Sequence, residues 1–391
     1  MSDGPSCVDL FCGAGGFSLG FEYAGFDILV ASDYHETAGK TYQANFDHPF
    51  LQADISNLAD DVQPLLDKGE FSTGDVDVLV GGPPCKGFSI TGSQNEDDAR
   101  NTLFRRYIDV LEALKPDAII IENVPGVKSI KDGAYVDEII SRTRDLGYNT
   151  RMLELNSANY GVPQRRERVF FIGYRDSHPV SRPRRTHITD TGQQRLGSVS
   201  ETRSCQTVEE AMSDLAFLGI GESSTEYMDI PHSDYQRLMR KNHSGSLYNH
   251  TAPNHGTRVQ ERFEAMEPGD SMDDLPEKLQ TSKYTLHRLR PDQPSPTITT
   301  LPEDLVHYSR NRIPTVREMA RLQSFPDWFK FEGPRTTGGN RRDESLPQYS
   351  QVGNAVPPIM AEALARHVRA TLEGDDPAKA AEERLDRLDP S

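Results

Sequence analysis

Cys7-Val8-Asp9-Leu10-Phe11-Cys12-Gly13-Ala14-Gly15-Gly16-Phe17-Ser18 is a short apolar run that breaks into glycines and resumes as a helix-compatible segment. A strand feeding a glycine turn and then a helix opens an α/β unit, and the glycines let the backbone come close to a ligand at the strand's carboxyl end. The same texture repeats downstream. Apolar runs at 28–31, 76–80 and 118–121 are near-continuous rather than alternating, as in parallel strands buried on both faces. Helix-compatible stretches at 102–114 and 135–146 follow the third and fourth of these runs. The alternation predicts an α/β fold, a parallel sheet with helices on both faces. Two further runs, 150–155 and 168–174, suit antiparallel neighbours at one edge of it.

Polar residues recur where these strands end. Asp33-Tyr34 closes the second strand, where an acidic residue commonly accepts hydrogen bonds from ribose hydroxyls, and Asp54 closes a plausible third. The glycine spacing departs from the dinucleotide fingerprint and no lysine accompanies the loop, so the three strand ends suggest a nucleoside ligand without a diphosphate. The next run ends in Gly81-Gly82-Pro83-Pro84-Cys85-Lys86-Gly87-Phe88-Ser89. A cysteine with a packing role would sit inside the run. Here two prolines stiffen the chain just past the strand end and present Cys85 toward the crevice where such sheets bind ligands. Glu122 follows three isoleucines in Ile121-Glu122-Asn123-Val124-Pro125-Gly126 and is costly to bury there without a partner. If the strand after Gln164-Arg165-Arg166-Glu167-Arg168 runs antiparallel, a thiol, a carboxylate and arginines meet at one sheet edge.

The 391 residues suffice for one large domain and a smaller one. With no basic-then-apolar leader and no apolar run of membrane-spanning length, the reading is a cytoplasmic protein without a membrane partner. Cys7, Cys12, Cys85 and Cys205 show no paired CxxC spacing, so neither a zinc site nor a disulfide framework is expected, and the thiols are read as free. A net charge of −17 excludes a generally basic surface, so any contact with a polyanion must be local. Candidate patches are Arg105-Arg106, Arg165-Arg166 with Arg168, Arg182 with Arg184-Arg185, and Arg335 with Arg341-Arg342, each of which also reads as solvated surface arginines. The acidic excess also suits a salt-rich cytoplasm. From about 177 to 300 the chain is polar and punctuated by Pro and Gly, too long for a structureless loop. Thr315-Val316-Arg317-Glu318 is a capping box opening a helix that stops before Pro326, and a last helix covers 358–372.

Taken in order, DLFCGAGGFSLGFEYAGF (9–26), Asp33, Asp54, GGPPCKGFS (81–89), ENVPG (122–126), QRRERVFFIG (164–173), REMARLQSFPDWF (317–329) and QVGNAVPP (351–358) resemble the blocks of the DNA cytosine-5 methyltransferases. The resemblance runs from Asp9 to about Leu372. It implies a Rossmann-like S-adenosylmethionine-dependent sheet with a smaller target-recognition domain. It also implies transfer of a methyl group to C5 of a cytosine flipped out of double-stranded DNA. By it Cys85 would be the nucleophile, Glu122 would hold the base edge, and Arg166 and Arg168 would orient base and phosphate. Phe11, Gly13, Gly15, Asp33, Tyr34, Asp54, Pro84, Leu103 and Asn354 would line the S-adenosyl-L-methionine site, with no metal. Two residues depart from the usual pattern: Lys86 stands where Gln or Asn commonly follows the nucleophile, and His35 where an acidic residue is common.

The implied division is a catalytic and cofactor domain at 1–180, target recognition at 181–300, a hinge and return segment at 301–345, the catalytic remainder at 346–372 and a charged tail at 373–391 that reads as a frayed helix or disorder. A monomer is expected, with a cognate restriction endonuclease as a partner in the cell. An RNA methyltransferase on the same scaffold is the alternative, but the Cys-Phe-Thr segment typical of the tRNA-acting branch is missing. A cytosine deaminase would need His-x-Glu and Pro-Cys-x-x-Cys, and Lys86-Gly87-Phe88 follows Pro84-Cys85 instead. A non-catalytic DNA-binding homologue is the third reading.

Overall fold

The computed structural model describes residues 4–84, 103–175, 178–188, 203–243, 245–281, 285–336 and 345–387. The apolar runs become β1 (Ser6–Leu10), β2 (Asp27–Asp33), β3 (Phe50–Gln52), β4 (Val78–Gly81), β5 (Ala118–Asn123), β6 (Asn149–Asn156) and β7 (Glu167–Tyr174). They form one seven-stranded sheet in the order β3-β2-β1-β4-β5-β7-β6. β1 to β5 pair in parallel, while β7 runs antiparallel to both β5 and β6. This is the Rossmann-like arrangement. The chain builds outward from β1 through β2 and β3, then returns to place β4 on the other side, so the switch point lies between β1 and β4. Ligands bind in the crevice beyond the strand ends at such a point.

The connecting helices are α1 (Gly16–Tyr23), α2 (Glu36–Asn45), α3 (Ile55–Asp60), α4 (Gln63–Gly69), α5 (Leu103–Leu114) and α6 (Ala134–Asp145). α5 shows why they pack. Its Phe104, Tyr107, Ile108, Val110, Leu111 and Leu114 are buried at helical spacing in one cluster with Val8, Leu10, Leu79, Ile119 and Ile121. Each such fully buried side chain contributes about 1.5–3 kcal/mol relative to exposure. Tyr107 keeps its hydroxyl satisfied by donating to the Leu79 carbonyl at 2.9 Å.

The chain divides into two compact units, one of residues 1–156, 167–184 and 360–382, the other of 157–166, 185–359 and 383–391. The second holds α7 (Val208–Met212), α8 (Asp234–Arg240), α9 (Thr257–Glu264), α10 (Val316–Leu322) and α11 (Gln348–Asn354), and α12 (Pro358–Glu373) and α13 (Pro377–Arg387) follow. Residues 301–359 thus share a unit with 185–300 instead of forming a separate return segment.

Thr315 and Glu318 form the expected capping box, Glu318 N–H donating to Thr315 Oγ1 at 3.1 Å and Thr315 N–H to Glu318 Oε2 at 2.7 Å. Every residue of α10 is buried, its charges included. Arg312 clamps Glu318 through two bonds of 2.7 and 2.8 Å, and Arg321 lies between Asp214 and Asp327. The Arg312 guanidinium holds the Glu318 carboxyl well below the ordinary carboxylate range against the opposing effect of burial. Of the charged tail, read as a frayed helix or disorder, residues 377–387 form α13. Arg384, 1% exposed, donates to the Tyr160 and Ile359 carbonyls at 2.6 and 2.7 Å, and Leu385 is buried beside it. Composition reported the charge of this segment but not the two residues that anchor it. Among the described residues no helix is long and apolar enough to cross a membrane.

Candidate active site

β4 ends in glycine because its neighbours leave no room. A Cβ on Gly81 would lie 2.9 Å from the Leu10 carbonyl and from the Tyr107 ring, and one on Gly82 3.3 Å from Glu122 Oε2. The chain then passes through half-buried Pro84 toward Cys85, which lies outside the described residues, as does Lys86. Asn123, buried at the end of β5, donates from Nδ2 to the Pro83 carbonyl at 3.2 Å and accepts the Val124 N–H at 2.9 Å. That bond ties the segment leading to Cys85 directly onto the strand that carries Glu122. Asn123 is absent from the sequence-derived site. Its signal was a polar residue immediately after Glu122 at the end of a buried strand.

Antiparallel pairing sets Glu122 opposite Phe170, so Arg168, two residues earlier, emerges on the same face as a diagonal neighbour. Arg168 Nε lies 3.0 Å from Glu122 Oε1, with the two side chains 14% and 12% exposed. Burial lowers the Arg168 pKa and the Glu122 charge opposes that shift. The strand-end convergence expected of Glu122 and Arg168 is therefore present.

Arg166 is a correction. It is 1% exposed, belongs to the second unit, and donates to the Ile298 and Gly353 carbonyls at 3.1 and 2.9 Å. A guanidinium committed to backbone in this way holds protein together instead of meeting a base or phosphate. Alternation along the QRRER block does not reveal this, because what surrounds Arg166 is supplied by segments more than a hundred residues away.

On the other side of the switch point, Phe11, Gly13 and Gly15 adopt left-handed φ values of 57°, 55° and 93°. Gly13 N–H donates to Asp33 Oδ2 at 3.0 Å, and His35 N–H to Asp33 Oδ1 at 2.8 Å, so His35 contributes through its backbone. Burial raises the Asp33 pKa while these bonds pull it down. A Cβ on Gly13 would meet nothing within 4 Å, whereas one on Gly15 would strike the Phe46 ring at 2.4 Å. There is open space over Gly13, and close packing under Gly15. Tyr34, next in sequence to Asp33, stands 62% exposed. An open cradle at Gly13 with the Asp33 carboxylate beside it fits a nucleoside with hydroxyls to bind. Leu103 is half-buried against the same core as Phe11. Asp54 is exposed and accepts the Ser56 N–H at 2.8 Å as the cap of α3. Asn354 is exposed at the end of α11 and belongs to the second unit. Beneath the loop, Asp9 is fully buried and accepts Ser18 N–H and Oγ–H at 3.1 and 2.6 Å.

The family model of the C-5 cytosine-specific DNA methylases matches residues 6–370. The chain belongs to this family. The enzyme is 36% identical over 384 residues to the type II methyltransferase M.DdeI of Desulfomicrobium norvegicum, covering 92% of this chain and 88% of that protein. To the type II methyltransferase M1.HphI of Haemophilus parahaemolyticus it is 36% identical over 370 residues, covering 92% and 86%. Among solved structures it resembles a DNA modification methyltransferase encoded within an E. coli prophage, with a TM-score of 0.70, 26% identity and coverage of 95% and 99%. The methylase is a DNA cytosine-5 methyltransferase and uses S-adenosylmethionine as its methyl donor.

Two further features of the methylase bear on its chemistry. Cys7, Cys12 and Cys205 are buried, Cys205 Sγ donating to the Ala158 carbonyl at 3.2 Å, and burial pushes the Cys7 and Cys12 thiols well up, which makes them poor nucleophiles. Several arginines of the basic clusters are engaged within the protein: Arg105 with Glu138 at 2.8 Å, Arg106 with Asp60 and Asp109, and Arg184 with Glu382 at 2.6 Å. These exposed pairs contribute little to stability and leave the arginines able to exchange partners for phosphates.

Proposed function

We propose that the methylase acts on a cytosine flipped out of a specific double-stranded DNA sequence, through a covalent bond between Cys85 Sγ and C6 of the base. The observation that carries this reading is the Glu122–Arg168 pair at the strand ends beside Pro83 and Pro84, the residues that lead into Cys85. A cytosine is a poor carbon nucleophile. Addition of the Cys85 thiolate to C6 moves electron density onto C5 and N3, and Glu122 is the group to bind N3 and the exocyclic amine while that charge develops. Arg168 fixes the Glu122 carboxyl and adds a positive charge beside the base. Gly13, Asp33 and Tyr34 would hold S-adenosylmethionine, which would supply the electrophilic methyl for C5 and leave as S-adenosylhomocysteine. Loss of the C5 proton to a base, with elimination of the thiolate from C6, restores Cys85 and the aromatic ring. The flip costs a few kcal/mol, offset by contacts in the pocket.

The part of the second unit between 185 and 300 reads the target sequence, since its polar loops are not used by cofactor or catalysis. The type II names of its relatives support a role in restriction and modification, and we read the methylase as a cytoplasmic monomer with a cognate endonuclease as partner. The test uses the whole enzyme, S-adenosylmethionine and DNA containing 5-fluorocytosine, since fluorine at C5 does not leave as a proton. The wild type should form a denaturation-resistant adduct and Cys85→Ser none; an adduct that survives this change, or methyl transfer by the serine enzyme, overturns the mechanism.

A further inference from the structure

In the second unit β8 (His187–Ile188) and β9 (Arg203–Ser204) pair in parallel, with His187 directly beside Arg203. Arg203 N–H donates to the Thr186 carbonyl at 3.0 Å, which fixes the register of the two side chains. Both line a cavity of about 340 Å³ that also takes in Gly161, Gln206 and, from α8, Asp234. Every residue around it belongs to the second unit.

His187 is only 2% exposed, and its ring edge rests on Gly161, where a Cβ would fall 2.8 Å from Cε1 and 3.4 Å from Nε2. Gly161 therefore leaves that edge of the ring uncovered by a side chain. Thr186 Oγ1 lies 2.9 Å from His187 Nδ1 and accepts from Arg384 at 3.4 Å. A hydroxyl that accepts from a guanidinium keeps its own proton for Nδ1, which leaves the ring hydrogen on Nε2. Burial, then the charges of Arg384 and Arg203, push the His187 pKa down to about 3, so the imidazole is neutral at physiological pH and Nε2 is a donor.

The cavity wall thus combines a buried imidazole N–H, a guanidinium and an amide, with the Arg384 charge behind them. Asp234, the carboxylate among the lining residues, is engaged by Arg237. Packing alone does not call for polar donors and two guanidinium charges around one small space, whereas an anion with several oxygens does.

We infer that this cavity binds a phosphate group, with His187 Nε2–H, the Arg203 guanidinium and the Gln206 amide donating to its oxygens. The same chemistry serves a free phosphate ion or a backbone phosphate of the DNA on which the enzyme acts.

The test titrates inorganic phosphate into the whole enzyme at constant ionic strength and follows the imidazole NMR signal of His187, identified by its loss in His187→Gln. That signal should move saturably, with a Kd of about 1 mM. Arg203→Gln, checked for folding by thermal unfolding, should weaken phosphate binding about tenfold. Calorimetric titration of the wild type and Arg203→Gln gives the same comparison should His187→Gln not fold. The two sources separate in the dependence of duplex DNA binding on salt. Arg203→Gln should lower the slope of log affinity against log salt by about 1 where the phosphate belongs to DNA, and leave it unchanged where the site takes the free ion. Absence of saturable phosphate binding by the wild type, or equal phosphate affinity in folded Arg203→Gln, overturns the inference.

Discussion

Arg168 Nε lies 3.0 Å from Glu122 Oε1 although the two residues are on different strands and both are nearly buried. Antiparallel β7 brings them together, and neither strand's own sequence contains the pair. Burial makes their loss asymmetric. Removing one charge leaves the other uncompensated, whereas removing both leaves neither.

Arg168→Met should therefore destabilise the enzyme by about 2–4 kcal/mol, toward the low end for a buried pair because some exposure remains. Glu122→Gln in the same chain should recover much of that loss, as followed by urea unfolding. Methyl transfer should stay abolished in the double variant. Recovery of activity along with stability would show that the pair is structural.

Asp9 should make stability fall as pH rises. Burial lifts its pKa to about 7 from an ordinary 3.8, and the nearby Asp33 charge adds to the shift. Since the folded pKa lies above the unfolded one, the folded state holds the extra proton between these values, and stability is lost as pH rises through that window. Asp9→Asn carries no such proton. Between about pH 5 and pH 8 the unfolding free energy of the wild type should drop relative to Asp9→Asn by roughly 2–3 kcal/mol, measured by urea denaturation at both pH values. Parallel behaviour of the two proteins would mean that Asp9 ionises normally.

Asp54 has a visible structural duty as the cap of α3, which confuses a simple alanine test. Asp54→Ala should cost about 0.5–2 kcal/mol of stability through the lost cap, while Asp54→Asn should cost little because asparagine caps equally well. If the carboxylate also accepts hydrogen bonds from the cofactor, Asp54→Asn should weaken S-adenosylmethionine binding at nearly wild-type melting temperature. Unchanged cofactor affinity in the asparagine variant would leave capping as its role.

Exchange of 181–300 with a related enzyme should transfer target specificity only when the incoming stretch supplies a counterpart of Asp214. Asp214 accepts from Arg321 at 3.1 Å in a fully buried site, and Arg321 lies outside the exchanged segment. Hybrids lacking that carboxylate should fail to fold, and restoring an aspartate there should rescue soluble expression. Sequencing of methylated DNA from hosts expressing the folded hybrid reads the outcome. Retention of the original target sequence by a folded, active hybrid would place specificity elsewhere.

The strands themselves, the antiparallel edge and the capping box at Thr315 were legible in the sequence, because each is written in local terms: runs of buried residues, glycines at turns, a Thr three residues before a Glu, whereas the order of the strands in the sheet was not. The strand-end positions of Asp33 and Glu122 were equally local, since each terminates its own apolar run. Three further things were decided only by tertiary structure. Arg166 and Arg168 are two residues apart in one basic block, yet Arg168 meets Glu122 whereas Arg166 is enclosed by carbonyls from 298 and 353. The tail reads as charged and loose, but buried Arg384 and Leu385 anchor a helix there. Asn123 reads as an ordinary strand terminus until its amide is seen on Pro83. In each case the sequence fixes what a side chain is able to do. Which partner it meets depends on the desolvated surroundings that distant segments build around it, and those surroundings exist only in the folded chain.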